Sequence, residues 1–82
     1  MEENELITQL VPAVEQQICS PITPFVKKHF ERMQSLGETE FEAKKMIALC
    51  LADETNRMYI DSRDFDIKRY ESLLVALPDL PE

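Results

Sequence analysis

Apolar residues recur at three- and four-residue spacing in four stretches and nowhere alternate convincingly, which predicts helices and no strands. The first helix runs from about Glu3 to Ile18, with Leu6, Ile7, Leu10, Val11, Val14 and Ile18 on one face. Pro12 falls on its polar side, where the missing amide donor bends a helix rather than dividing it. The second runs from Pro24 to Leu36 and buries Phe25, Val26, Phe30, Met33 and Leu36. Thr23 stands as its N-cap, and Pro24 takes the first helical position. The third spans about Phe41 to Tyr59, with Ala43, Met46, Ile47, Cys50, Leu51 and Met58 on its apolar side. Asp66 opens the fourth, whose buried face is Ile67, Tyr70, Leu73, Leu74 and Leu77, and Pro78 ends it.

Local punctuation sets the boundaries. Pro21 and Pro24 bias Ser20 and Thr23 away from helical geometry and make a connector between helices one and two. Gly37, the only glycine, follows the apolar face of helix two, where a left-handed cap favours a residue without Cβ. Thr39 and Glu42 then have capping-box spacing. A glycine stop and a boxed start so close together predict a tight hairpin of helices two and three. Phe65 and Tyr70 bracket Asp66 as a hydrophobic staple. The fold expected is all-α, a compact bundle of about four helices built around that hairpin. One domain covers residues 1–82, with a short acidic N-terminus and a Pro-rich tail at 78–82.

Glu54 breaks the pattern, because it projects into the middle of the apolar side of helix three. A carboxylate among core residues is costly unless paired, hydrogen-bonded or protonated. Partners are expected from helix four or helix one, for instance the Tyr70 hydroxyl. His29, the sole histidine, projects to the buried side of helix two beside Val26, Phe30 and Met33. It lies about eight residues before the Gly37 turn and Glu54 about seventeen after it, so a straight hairpin separates them by ~13 Å in height. A polar site built on Glu54 and His29 therefore requires strongly crossed helices. One histidine is thin for zinc or iron, and no metal or cofactor is expected. No nucleophile motif, no assignable base for one and no glycine-rich phosphate loop is present.

Composition narrows the function classes. The 82 residues carry a formal charge of −7, which disfavours binding to nucleic acid or anionic membrane. Hydrophobic content of 44% with 30% charged residues is that of an ordinary globular chain. Cys19 and Cys50 lack metal or redox spacing, and Cys50 reads as a small core hydrophobe. The acidic start resembles no signal peptide, and no apolar run approaches a membrane span, so a cytoplasmic, reducing setting is expected.

Helix three carries a second, thinner apolar stripe of Phe41, Ala48, Ala52 and Tyr59, opposite the first. A helix apolar on two sides is either central in its own domain or covered by another subunit. The small pair Ala48 and Ala52 would let a second helix approach closely. These four residues form the candidate interface.

Val14-Glu15-Gln16-Gln17, Pro24, Glu31-Arg32-Met33, Gly37, Glu42-Ala43, Ile47-Ala48 and the closing Phe65-Asp66, Tyr70 and Leu73-Leu74 together resemble a group of small bacterial all-helical domains of unknown function. The resemblance covers about Val14 to Leu77. Those domains carry a His-Glu-Ala-x-x-His-like segment after the glycine, which implies a metal role there. Here Phe41 precedes Glu42, and Lys44 and Lys45 stand where a histidine is expected, so the resemblance implies that this chain lacks any such metal.

The expected function is a non-enzymatic protein–protein interaction module or homodimer. The alternative is a small metal-binding or hydrolytic protein using Glu54 and His29.

Overall fold

The structure is a computed structural model that describes residues 3–80, with side chains from residue 7 onward. Among the described residues four α-helices follow one another: α1 Glu3–Cys19, α2 Pro24–Ser35, α3 Glu40–Asp61 and α4 Ile67–Ala76. Among the described residues there is no strand, and the protein is an all-α bundle. No described helix is long and apolar enough to cross a membrane. The expected place of Leu6 on the buried face of α1, and the ends of both termini, lie outside the described residues.

The helix ends follow local chemistry. Gly37 adopts φ +101°, and the amides of Gly37 and Glu38 donate to the carbonyls of Gln34 and Met33 at 3.0 and 3.1 Å. Those two bonds make a Schellman stop. The Glu42 amide then donates to the Thr39 hydroxyl at 3.1 Å, which starts α3. Thr23 differs from expectation: its hydroxyl caps nothing in α2 and instead donates to the Gln17 carbonyl at 2.9 Å, tying the connector to α1. Pro12 lies within a continuous α1 and is exposed, so the helix keeps its polar-side proline without dividing.

The long α3 is the axis of the bundle. α1 packs most extensively against it, α2 and α4 pack on it as well, and α2 also meets α4. Val14, Val26, Met33, Ile47, Cys50 and Leu74 are fully enclosed where these helices meet. Tyr70 joins three of them. Its ring is wholly buried edge-on to Phe25 and Phe65, with centroids 6.0 and 5.5 Å away, and its hydroxyl donates to Gln17 Oε1 at 2.6 Å. The Phe65 contact is the expected staple. Two expected core residues lie outside: Leu36 is 58% exposed at the end of α2, and Ile67 is 47% exposed in the first turn of α4. Both sit at helix ends, Leu36 as the C-cap of α2 and Ile67 as the first residue of α4.

Candidate functional site

Glu54 is fully buried, as its position on the apolar side of α3 requires. Its environment is built by the chain that follows α3. Ser62 closes that helix in the left-handed region at φ 51°, and the Arg63 amide returns to the Met58 carbonyl at 3.1 Å. The turn sends Arg63 back along α3. Arg63 then meets the carboxylate in a two-pronged pair, Nη1 to Oε2 at 2.6 Å and Nη2 to Oε1 at 3.0 Å. Asp66, the N-cap of α4, accepts from the amides of Lys68 and Arg69, while its own amide donates to Glu54 Oε2 at 2.7 Å. One turn later Arg69 places Nη1 at 2.9 Å from Glu54 Oε1 and Nη2 at 2.6 Å from Asp53 Oδ2.

Four donors therefore occupy the two oxygens of one buried carboxylate. The hydrogen bond to Arg63, outweighing burial, and those to the Asp66 amide and Arg69 hold the carboxyl at about 2. A group so saturated and so acidic is neither a proton shuttle near neutrality nor a free metal ligand. What the cluster does is lock α3, the connector and the first turn of α4 together. Tyr70, the expected partner of Glu54, is engaged with Gln17 instead, because it points from α4 toward α1 and α2.

His29 lies at the other end of α4. It is buried on α2, and its Nδ1 accepts from Arg32 Nε at 3.3 Å. The Arg32 guanidinium donates to the carbonyls of Leu77 and Leu74, each at 2.9 Å, and of Val75 at 3.3 Å. It thus caps the C-terminal turn of α4, where carbonyls lack helical partners. Burial, then the charges of Arg32 and Lys28, lowers the His29 pKa. Glu54 contacts the N-terminal end of α4 and His29 the group that caps its C-terminal end, so the structure does not bring them into one site. Among the described residues no three His, Cys, Asp or Glu converge in a way that could hold a metal ion. Burial pushes the Cys50 thiol up to about 12, which leaves it an inert core group.

The four stripe residues of α3 divide. Phe41 and Tyr59 are 56% and 78% exposed, Ala52 is half-buried, and Ala48 is fully buried. α1 is the reason. Lys44 bonds Glu15 at 2.9 Å, and Leu10 shares a groove with Ala52, Thr55, Asn56 and Tyr59, so α1 runs antiparallel along α3 and covers Ala48. The helix that approaches the small residues is thus this chain's own. With Ala48 covered, the open face of α3 is Phe41, Lys45, Leu49, Ala52, Asn56 and Tyr59, with Ile60 at its edge, all exposed or half-buried, and Leu10 of α1 borders it beside Ala52, Asn56 and Tyr59. Lys45 and Asn56 have no ion pair or hydrogen-bonded side-chain partner among the described residues.

Periodicity did not reveal Arg63, Arg69 and Arg32 as the residues that organise both ends of α4. A signal existed for the first two: a carboxylate on a core face demands a cation, and the connector and first turn of α4 supply them. Comparison with protein-family models, curated proteins and solved structures finds no match.

Proposed function

We propose that this chain is a non-enzymatic protein-interaction module whose contact surface is the open face of α3. The observation that carries the reading is the exposure of large apolar side chains along that face, with Tyr59 at 78%, Ile60 at 61% and Phe41 at 56%. Large exposed apolar patches on a globular protein mark contact sites, whereas apolar residues exposed singly do not. The half-buried Leu49 and Ala52 link its two ends, and the groove shared with Leu10 gives the Tyr59 end a concave border. Support also comes from the groups that chemistry would need: the Glu54 carboxylate is saturated, His29 is occupied by Arg32, and the Cys50 thiol stays protonated. The net charge of −7 favours a protein partner over nucleic acid or an anionic membrane, and two free thiols suit a cytoplasmic, reducing setting.

The test is affinity capture and crosslinking with the full chain, comparing the wild type with Tyr59→Ser and Phe41→Ser. Both changes lie at exposed positions and leave the helical signal intact. Loss of a captured protein, whether a second copy or another chain, on either substitution supports the reading. A wild type that crosslinks to nothing, or a partner held equally by both variants, refutes it.

A further inference from the structure

The open face of α3 also constrains its partner. Its residues fall within about 80° of arc on the helical wheel and, from Phe41 to Tyr59, extend ~27 Å. The chain carries sixteen acidic residues against nine basic ones, yet none of the acids lies inside the strip. Glu42 and Asp53 stand on its edge, and Asp53 is held by Arg69. The one formal charge within it is Lys45. Two copies of a protein with net charge −7 repel across most of their surfaces, and the α3 residues of this strip place no carboxylate between them.

The order of residues along the strip is self-complementary when reversed. An antiparallel α3 pair about a two-fold axis near residues 50 and 51 sets Leu49 against Ala52, a large side chain against a small one. The same register sets Lys45 against Asn56, and Phe41 against Ile60 and Tyr59. Each pairing occurs twice, as a two-fold contact demands. From this we propose that the module pairs with a second copy of itself, through antiparallel contact of the open α3 faces in that register. The proposal rests on the interaction reading above and names its partner. A strip this narrow falls short of the ~800 Å² per partner of a standard interface, so the dimer is reversible and depends on concentration.

Sedimentation equilibrium of the full chain, with native mass spectrometry at matched concentrations, tests the register through charge. Asn56→Glu sets a carboxylate against Lys45 of the other copy twice, and Asn56→Lys sets a cation there. Two exposed ion pairs made or opposed correspond to about a five- to tenfold change in the dimer dissociation constant, tighter for Glu and weaker for Lys. Ala52→Glu, which brings carboxylates to the middle of the contact, yields monomer with an unchanged helical spectrum. Position 56 is exposed, so the first two variants fold even if Ala52→Glu does not. A wild type that stays monomeric into the millimolar range overturns the proposal. A dimer indifferent to charge at position 56, or weakened equally by both signs, overturns it too. If the monomeric wild type still captures another chain through Tyr59, self-pairing falls while the interaction reading stands. If it captures nothing, both fall.

Discussion

Replacing Glu54 with glutamine is the sharpest perturbation of the fold. The side chain keeps its shape, but one of its two oxygens becomes an NH2 group. Either Arg63 Nη1 with the Asp66 amide, or Arg63 Nη2 with Arg69 Nη1, then faces a donor where it had an acceptor. Removing one member of a buried ion pair costs about 3–5 kcal/mol, because its partner charge is left uncompensated. The side chains of Arg63 and Arg69 retain 29% and 32% exposure, so water can take up part of their hydrogen-bonding demand. That places Glu54→Gln at the lower end, ~3 kcal/mol. A chain of this size has ~4–12 kcal/mol in all, so the loss is a large fraction of its stability. In melting temperature it amounts to ~12–24 °C. Urea unfolding followed by far-UV circular dichroism measures it directly, and a double-mutant cycle with Arg63→Gln isolates the pair. The effect also has a signature in acid. The Glu54 carboxyl is depressed from 4.5 to about 2, so its stabilisation is complete above pH 4.5 and fades as the pH falls toward 2. The difference between wild type and variant therefore narrows across that window. A loss under ~1 kcal/mol at neutral pH, the range of an exposed ion pair, would refute the assignment of Glu54 as a structural lock.

Other predictions follow from single contacts. Ser62 holds a left-handed conformation that costs a residue bearing Cβ ~1 kcal/mol, so Ser62→Gly should raise the urea midpoint with no change in slope. Arg32→Ala should cost about 1.5–3 kcal/mol, the range for hydrogen bonds to a charged group. Amide hydrogen exchange should show its earliest effect in the last turn of α4, whose carbonyls lose their donors. The lowered pKa of His29 means that the unfolded chain takes up a proton before the folded one. Stability should therefore decline as the pH drops below 6.5, and the part due to this residue should vanish in His29→Asn, as parallel melts at graded pH will show.

What could be read from the sequence is what adjacent residues decide among themselves. Gly37, Thr39 and Asp66 mark helix ends because each acts on amides or carbonyls within a few residues. Glu54 stands out because its own helix places it among apolar neighbours. Its partners do not, since Arg63 reaches it only through the left-handed turn at Ser62, and Arg69 only once α4 has docked. Ala48 shows the same limit from another direction. It lies on the wheel beside Phe41 and Tyr59, and which of them is covered depends on the line along which α1 crosses α3. Leu36 and Ile67 are apolar at core-facing positions yet exposed, because helical period reports direction and not the reach of a neighbouring helix. The open face of α3 was legible only in part: Phe41, Ala52 and Tyr59 belong to it, whereas Lys45, Leu49 and Asn56 enter only once Ala48 is assigned to the core.

Hydroxyl-radical footprinting across a concentration series tests the contact surface most directly, since it reads side-chain exposure residue by residue. Phe41, Tyr59 and Ile60 should lose reactivity together as concentration rises, while Ile22 and Val75, exposed elsewhere on the bundle at 86% and 61%, stay reactive. Protection centred on Ile22 or Val75, or none on α3 at any concentration, would contradict the account.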